Sequence, residues 1–524
     1  MIRIRLALSG ILAAAAGIAA GHLVAGFVDP ATSPVLTIGS TVIDLTPTPV
    51  KEWAVARFGT ADKPILLGSV VLVTLLAAAL IGLLARRHRV LATTLLGVLV
   101  LLTGAAALTR PAFDVIDLLP TLVTLVAGLG AFWWLTSLAL AIDRDPAPDP
   151  ATEHPPGERG ARARPAGARP AGGSTARRAF LGGALGVTAL SVLAAGGGQL
   201  RAGAQAAKRL VLPRPADPAP ALPAGLEAKV PGITPLRTPN DRFYRVDTNL
   251  AVPRVDVDGW TLEIDGMVER PFSLTFDELA AMPLIERDIT MTCVSNEVGG
   301  GYVGAARWLG VRLGDVLDRA GISGAPDQVL STAVDGFTIS TPLDVVRDGR
   351  DAMIAIGMNG TQLPEAHGFP ARLITPGLYG FVGATKWLTK LTLTTYAAEQ
   401  AYWTKRQWAT DAPIKTSARI DSPRPLATIK AGRTAIGGVA WAQHRGVDKV
   451  EVRIDDGAWQ QTELGPEVNI DYWRQWYLPW DAKPGLHRLA VRAIDRNGEP
   501  QIVERATPFP SGSSGVQEVV VTVE

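Results

Sequence analysis

Five apolar segments in the first two-fifths of the chain constrain the fold more than any other feature. They cover residues 6–28, 65–85, 90–108, 118–142 and 179–200, and each has about the length of a helix that crosses ~30 Å of hydrocarbon. Hydrophobic residues make up 47% of the chain and charged residues only 19%, with a mean hydropathy of +0.20. Because this balance is untypical of a disordered or simply water-soluble chain, the pattern predicts an N-terminal α-helical transmembrane region of five spans.

Basic residues set the orientation of these spans. With the N-terminus inside, the arginines near residue 4, those near residue 87 and the seven arginines between residues 143 and 178 all lie in the cytoplasm. Only Lys51, Arg57, Lys63 and Arg110 then lie in outer loops. Since basic residues favour the cytoplasmic side, the sequence predicts a multi-pass protein of the cell membrane, in contact with lipid, with everything after residue 200 on the extracytoplasmic face.

Composition divides the 524 residues into six predicted regions. They are a four-helix membrane region (1–142), a basic Pro/Ala-rich cytoplasmic linker (143–178), a fifth transmembrane helix (179–200), a linker (201–234), an α+β domain (235–410) and an immunoglobulin-like β-sandwich (411–524). Arg177-Arg178 with Phe180-Leu181 before the fifth span resembles a twin-arginine export signal. That export route carries folded cargo, which suggests insertion of a cofactor before export.

Charge and cysteine content exclude several classes of protein. The net charge is only +2, from 51 basic and 49 acidic residues, so no bulk polycation points to nucleic acid. The single cysteine, Cys293, excludes an intrachain disulfide framework, a Cys-based zinc finger and a four-thiolate Fe–S cluster. The alternation of Ile289, Met291 and Cys293 predicts a strand that ends at the cysteine. Such a cysteine is most often packing, but a sole cysteine at a strand end is also a candidate soft ligand or nucleophile.

A second cluster, between residues 358 and 387, contains three cation-capable side chains, His367, Arg372 and Lys386. Glycines that follow Pro376 expose backbone N–H groups at close range, as anion-binding nests do. Arginine offers a planar fork to a phosphate and lysine a point charge. Each residue alone is more often a solvated loop charge, but the whole constellation beside a sole cysteine predicts a site for an anion.

These motifs resemble the sulfite oxidase family of molybdopterin-dependent oxidoreductases. The string Asn-Gly-x-x-Leu-Pro-x-x-His-Gly-Phe-Pro-x-Arg at 359–372 is followed by Pro-Gly-x-x-Gly and Lys-Trp-Leu. The cysteine segment, the upstream segment 239–245 and the strand-rich tail also match. The resemblance runs from about residue 235 to the C-terminus and indicates a membrane-anchored bacterial type with the family's C-terminal dimerisation domain.

The resemblance implies a role for each matching residue. Cys293 becomes the thiolate ligand of molybdenum in a Mo-molybdopterin cofactor, with one molybdenum per chain. Arg245 and Trp408 join Cys293 in the catalytic set. The residues implied to hold the cofactor are Asn240, Tyr244, Arg245, Asp335, His367, Arg372, Ala384, Thr385 and Lys386. The implied chemistry is a two-electron oxygen-atom transfer that the cofactor performs and the protein orients.

Two departures from the family pattern concern the substrate. Sulfite oxidases place a sulfite-binding arginine where this chain has Val246, and an active-site tyrosine where it has Trp408. An aromatic pocket of Tyr402, Trp403 and Trp408 suits a neutral sulfoxide or N-oxide better than a small oxyanion. The family's methionine sulfoxide reductase branch, however, typically lacks a long C-terminal sandwich. The substrate, an oxygen donor or acceptor that includes sulfite-like compounds, and the direction of transfer therefore stay open.

The resemblance also implies partners, and two other functions compete with it. No haem domain of the cytochrome b5 type and no paired histidines for a transmembrane haem are visible in the sequence, so electrons are expected to pass to a separate carrier. A homodimer through the C-terminal domain is implied. One alternative is a hydrolase or acyltransferase with Cys293 as nucleophile and His367 as base. The other is a non-catalytic exported immunoglobulin-like module with Trp441, Trp473 and Trp476 on a partner surface.

Overall fold

The computed structural model describes residues 2–58, 61–144, 172–204 and 209–524. The chain forms two compact units. The first comprises Met1–Ala206 with Asn249–Ala251, and the second comprises Ala207–Thr248 with Val252–Glu524. The parts of the predicted linkers at 145–171 and 205–208 lie outside the described residues.

The first unit is helical. Its helices are α1 Ile2–Ala25, α2 Pro34–Leu45, α3 Thr48–Phe58, α4 Asp62–Leu84, α5 Arg89–Leu108, α6 Leu119–Arg144 and α7 Gly172–Ala204. Five described segments are long and apolar enough to cross a membrane: Ile2–Ala25, Asp62–Leu84, Arg89–Leu108, Val115–Ile142 and Arg177–Gln199. Each coincides with a predicted span. Helix α7 begins earlier than predicted, so Arg177 and Arg178 lie on a helix, and α2 and α3 are additional helices between the first two spans.

Small residues allow the long helices of this unit to pack closely. At the crossing of α1 and α4, a Cβ atom added to Gly10 would lie 2.0 Å from the backbone oxygen of Ala78, and one added to Gly82 would lie 2.2 Å from that of Leu6. Only glycine permits such backbone contact, which is the usual device of helices that pack in lipid.

The first part of the second unit contains two sheets and four short helices. Its strands are β1 Thr261–Gly266, β2 Phe272–Thr275, β3 Leu284–Thr292, β4 Val303–Arg312, β5 Gln328–Ala333, β6 Thr338–Pro342, β7 Met353–Met358, β8 Thr361–Gln362, β9 Arg372–Ile374 and β10 Leu388–Thr394. Its helices are α8 Phe276–Ala280, α9 Leu313–Ala320, α10 Leu343–Arg347 and α11 Gly380–Gly383. One sheet has the order β2-β1-β10-β5-β6, and the other has the order β3-β4-β7-β8 with β9 beside β7.

The cysteine strand is central to this arrangement. Strand β3 pairs antiparallel with β4, in a register that runs from Leu284 opposite Val311 to Thr292 opposite Val303. Five consecutive residues at its end are buried, and the strand stops at Thr292, so Cys293 begins the following loop. The prediction of a strand that ends at the cysteine is confirmed. One apolar core packs β3 and β4 against β7 and α9.

The C-terminal part consists of strands. They are β11 Ser417–Ser422, β12 Thr428–Ile429, β13 Gly432–Trp441, β14 Val447–Ile454, β15 Gln460–Gln461, β16 Glu463–Leu464, β17 Arg474–Ala482, β18 Gly485–Asp495 and β19 Gln517–Val523. They form a sheet of order β11-β13-β17-β16 and a sheet of order β12-β19-β18-β14-β15. A shared core of residues such as Ile436, Trp476, Val450 and Val491 lies between the two sheets, which makes this region a β-sandwich.

Two sequence-based expectations change in this unit. Residues 209–234, predicted as a linker, are bound to both the α+β region and the sandwich. The backbone N–H of Leu210 donates to the Gln362 side chain (2.6 Å), and that of Leu226 donates to the Gln475 side chain (2.8 Å). We call residues 209–234 the strap. The second change concerns Trp441, Trp473 and Trp476, which are all buried, so they do not form the exposed partner surface of the non-catalytic alternative.

Candidate functional site

Cys293 lies in a loop that several internal hydrogen bonds hold together. The N–H of Cys293 donates to the carbonyl of Tyr302 (2.9 Å), and the carbonyl of Cys293 accepts from the N–H of Asn296 (3.0 Å). The side-chain oxygen of Asn296 accepts from the N–H of Tyr302 (2.8 Å). Burial raises the pKa of the Cys293 thiol, while hydrogen bonds from Ser295 and the charge of Lys386 act in the opposite direction. The sulfur is therefore buried, fixed in position and within the field of a cation.

Arg372 is a buried cation with few partners. It begins β9 and is only 5% exposed. Its Nη1 donates to the carbonyl of His367 (3.1 Å), but its Nε is buried and has no hydrogen-bond partner among the described residues. Burial lowers the pKa of its guanidinium to about 10. An ionised group in this position lacks the partner that normally compensates for desolvation.

Lys386 and His367 adjoin this cation. Burial lowers the pKa of Lys386 to about 8, although its Nζ lies 2.7 Å from a carboxylate oxygen of Asp247. Burial, with the charge of Arg372 as the next cause, lowers the pKa of His367 to about 4, so the imidazole is neutral at pH 7. Its Nε2 lies 3.0 Å from the carbonyl oxygen of Asn240. Because a carbonyl only accepts, this nitrogen carries the ring proton.

Long-range electrostatic effects show that the predicted residues form one cluster. The charges of Arg372, Lys386 and Arg245 all depress the pKa of His367. Burial raises the pKa of the Tyr244 phenol, the charge of Cys293 raises it further, and the charge of Arg372 lowers it. The structure thus brings the cysteine to the same place as Arg372 and Lys386, which are more than seventy residues away in sequence.

Asp247 is a site residue that the sequence analysis missed. Its side chain is 4% exposed and accepts both from Arg245 Nε (2.8 Å) and from Lys386 Nζ (2.7 Å). It therefore neutralises part of the positive charge and holds the Arg245 guanidinium. Its position two residues after Arg245 was the only signal in the sequence, and the pairing with Lys386 spans 139 positions.

The remaining predicted cofactor residues surround this cluster. The Asn240 side chain accepts from Asn359 (2.7 Å). Asp335 lies in the turn between β5 and β6, where its carboxylate accepts the N–H of Phe337 (3.1 Å). This turn adjoins the lysine segment, because the N–H of Val334 donates to the carbonyl of Trp387 (2.9 Å). The Thr385 hydroxyl is engaged with Ser331 (2.6 Å), which leaves Ala384 and Thr385 with only backbone groups to offer.

The aromatic residues predicted near the substrate are in ring contact. Tyr402 and Trp403 have ring centroids 5.0 Å apart, and Trp403 and Trp408 lie 5.6 Å apart. Phe381 and Phe509, which the sequence analysis did not single out, also pack edge-on against Trp408. Trp408 is 8% exposed, and its buried indole N–H has no hydrogen-bond partner in the part of the chain that the structure describes. Phe509 comes from the loop before β19, about a hundred residues later, and no sequence pattern marked it.

Tyr379 adds a phenol beside the cysteine loop. It precedes α11 and is buried, and burial raises its pKa to about 12, with the Cys293 charge contributing in the same direction. Its backbone N–H donates to the carbonyl of Ala412 (3.1 Å). The sequence analysis noted the glycines on either side of Tyr379 but gave no role to the tyrosine.

The geometry fits an anionic cofactor carried next to a single thiolate. Arg245, Arg372 and Lys386 are balanced by one carboxylate, Asp247, and the buried Nε of Arg372 lacks an acceptor. A phosphate would supply that acceptor and relieve the repulsion among the cations. The soft sulfur on the other side suits a metal that prefers thiolate ligands. The site thus has the charge that would hold an anionic cofactor and a thiol that could bind a metal.

Comparisons with known proteins identify the domain. Residues 249–403 match the family "Oxidoreductase molybdopterin binding domain". Human mitochondrial sulfite oxidase is 30% identical over 312 residues, which cover 49% of this chain and 56% of that protein. Rice NADH nitrate reductase 1 is 27% identical over 323 residues, covering 49% of this chain and 35% of the reductase. The solved sulfane dehydrogenase SoxCD from Paracoccus pantotrophus aligns with a TM-score of 0.49 and 22% identity, over 55% of this chain and 83% of that one.

Residues 249–403 form a domain that matches the molybdopterin-binding oxidoreductase model, and these relatives confirm the predicted resemblance to the sulfite oxidase family. The match spans about half the length of human sulfite oxidase and about a third of the length of the rice nitrate reductase. The matched domain contains Cys293, Asp335, His367, Arg372 and Lys386, whereas Arg245 and Trp408 lie outside its limits.

Proposed function

We propose that the protein binds one Mo-molybdopterin per chain and catalyses a two-electron oxygen-atom transfer. The buried, unpartnered Nε of Arg372 beside Lys386, within electrostatic reach of the only thiol, carries this proposal. When bound, the cofactor supplies the redox chemistry at molybdenum. Cys293 provides the thiolate ligand to the metal. Arg372 and Lys386 hold the phosphate of the pterin.

The other residues orient the cofactor. His367 keeps the proton on Nε2 for the Asn240 carbonyl and turns an uncharged Nδ1 to the pterin. Tyr244 closes the site next to the sulfur. Asp335 meets the pterin edge, and the backbone groups of Ala384 and Thr385 complete the contacts. Arg245 and Lys386 share Asp247, and this carboxylate limits the excess positive charge around the cofactor.

The substrate is proposed to be a neutral oxide, such as a sulfoxide or an N-oxide. Two observations support this class over a small oxyanion. The guanidinium of Arg245 is bound to Asp247 (2.8 Å), and the Trp408 indole N–H is a buried donor without an acceptor. Trp408 donates to the oxygen of the substrate, and the rings of Trp403, Phe381 and Phe509 surround its organic part.

We infer a membrane-anchored protein with this unit outside the cytoplasm. Five sufficiently long apolar helices and the bias of basic residues support that placement. The strand order of the C-terminal sandwich, with the first, third, seventh and sixth strands in one sheet, supports an immunoglobulin-like type. The proposed homodimer rests on the family resemblance. A separate carrier takes up or delivers the electrons.

The hydrolase alternative finds little support in the geometry. The Nε2 atom of His367 is bound to a backbone carbonyl. Burial lowers the pKa of this imidazole to about 4, which makes it a poor general base at neutral pH. Burial also raises the pKa of the Cys293 thiol, the reverse of what an activated nucleophile requires.

Metal analysis of the full chain tests the proposed function. The protein is purified from a host that synthesises molybdopterin, and we expect about one molybdenum per chain, because the sequence offers one thiolate ligand. Cys293→Ser should lose the metal and the turnover of sulfoxides or N-oxides, whereas the exposed Ser323→Ala should keep both. Wild-type protein without molybdenum, or a Cys293→Ser variant with full turnover, would contradict the proposal.

A further inference from the structure

The sandwich holds the strand that leads into Cys293. The side-chain Nε2 of Gln443 donates to the carbonyl of Thr290 (3.3 Å) and lies 3.4 Å from the hydroxyl of Thr292. The N–H of Thr290 donates to the carbonyl of Asp471 (2.9 Å), and the Thr290 hydroxyl accepts from the N–H of Trp473 (2.8 Å). Gln443 is fully buried, and Thr290 and Thr292 are each 1% exposed. The last three residues before the cysteine are therefore fixed from the sandwich side.

The sandwich also holds the loop that follows Cys293. The Ser513 hydroxyl donates to the carbonyl of Asn296 (2.5 Å), and Nη1 of Arg419 donates to the carbonyl of Gly300 (2.8 Å). Between these two points Gly299, with φ +79°, lies against the Gln517 side chain. The loop thus receives hydrogen bonds from β11 and from the segment before β19.

These contacts reach the sulfur through one intervening residue. Asn296 is the next residue after Ser295, which donates hydrogen bonds to the Cys293 sulfur. Asn296 also closes the loop through Cys293 and Tyr302. A displacement of Asn296 would therefore change both the position of the sulfur and its hydrogen bonds. Hydrogen bonds to a ligand atom from surrounding groups tune a bound metal.

The same sandwich segment reaches two other site residues. The N–H of Ala409, next to Trp408, donates to the carbonyl of Pro510 (3.2 Å), and Phe509 packs on Trp408 itself. Gly512 has φ +92°, and a Cβ atom there would lie 2.6 Å from the Tyr379 ring. The segment 509–513 thus packs against the residues that surround the site.

We propose that the C-terminal sandwich positions the molybdenum ligand. Ser513 acts on the loop after Cys293 and Gln443 acts on the strand before it, and both are positioning residues, since neither touches the sulfur. That the sandwich fixes the cysteine loop does not depend on the proposed function, whereas the effect of the sandwich on the metal rests on that function. The sandwich is on this account part of the active centre of its own chain, in addition to any role in dimerisation.

The single cysteine makes this proposal directly measurable. In the full chain purified from a host that cannot make the pterin, iodoacetamide can label only Cys293. Ser513→Ala should raise the labelling rate about fivefold, which is the factor expected when a loop opens after the loss of one hydrogen bond. Ser513→Thr keeps the hydroxyl and should restore the slow rate. Ser514→Ala is the matched control, because the Ser514 hydroxyl donates to Glu504 within the sandwich (2.7 Å).

A second variant and a second readout complete the test. Gln443→Leu should also accelerate labelling, from the other flank of the cysteine. In the molybdenum-loaded chain, Ser513→Ala should alter the Mo(V) electron paramagnetic resonance spectrum, and Ser514→Ala should not. Labelling of both Ser513→Ala and Gln443→Leu at the rate of Ser514→Ala would overturn the proposal. Wild-type protein that never loads molybdenum refutes the proposed function but leaves the labelling result valid.

Discussion

Replacing Arg372 by methionine should have opposite effects on the stability of the cofactor-free chain and on cofactor binding. Burial lowers the pKa of this guanidinium from 12.5 to about 10, and at 1.36 kcal/mol per pKa unit the buried charge costs about 3 kcal/mol. Arg372→Met removes this cost, and it also removes the hydrogen bond to the His367 carbonyl, worth about 1 kcal/mol. Methionine keeps an apolar contact with Trp308, which the guanidinium now faces. The net expectation is a cofactor-free protein more stable by about 2 kcal/mol.

The assay is thermal unfolding of the cofactor-free full chain, followed by tryptophan fluorescence, in parallel with pterin analysis of protein from a competent host. Arg372→Met should unfold at a higher temperature and retain no pterin. Arg307→Met is the matched control, because Arg307 is paired with the buried Asp288 (2.6 Å). That substitution strands a carboxylate and should destabilise the chain by about 3–5 kcal/mol. If Arg372→Met destabilises the empty chain as Arg307→Met does, Arg372 is not an uncompensated charge awaiting an anion.

Three further predictions concern other parts of the site. Trp408→Phe keeps an aromatic ring but removes the unpartnered N–H. The stability of the empty chain should therefore be unchanged or higher, while kcat/KM for a sulfoxide should fall about tenfold. An unchanged kcat/KM would exclude Trp408 as a donor to the substrate. Burial lowers the pKa of His367 to about 4, so the unfolded chain binds more protons than the folded chain between about pH 4 and 6.5. The free energy of unfolding of the empty chain should therefore fall by about 3 kcal/mol as the pH falls through that window. Urea titrations should show that His367→Gln loses this pH dependence, and a profile identical to that of the wild type would contradict the prediction. In Gly512→Ala the added Cβ atom would lie 2.6 Å from the Tyr379 ring, so the free energy of unfolding in urea should fall by about 1–3 kcal/mol more than in Gly498→Ala. Gly498 is the control because it has a similar φ of +84° and open space around it. Equal losses of stability would show that the contact is unimportant.

The parts of the fold that follow from local patterns could be predicted from the sequence. The five apolar segments correspond to helices, since apolar length alone marks such a segment. Strand β3 and its end at Cys293 followed from the alternation of Ile289 and Met291. Helices α2 and α3 were missed because they are short and lie between longer spans.

The site could be predicted only where a motif is continuous in sequence. His367, Arg372 and Lys386 lie within twenty residues, so the family resemblance located all three. Asp247, in contrast, is defined by a pairing with Lys386 across 139 positions, and Ser513 acts on Asn296 across 217 positions. Neither pairing leaves a local pattern. Folding within the α+β region brings the first two partners together, and packing of that region against the sandwich brings the second two together.

The strap, residues 209–234, determines where the chain can be shortened. Composition alone predicted a linker here, with the globular part starting near residue 235. Its backbone, however, donates to the side chain of Gln362 at one end and to that of Gln475 towards the other. A version that starts at 235 therefore leaves two side-chain amide oxygens without their donors. It also removes the strap that joins the α+β region to the sandwich. A shortened protein for solution work should therefore keep residues 209–524 as a single piece.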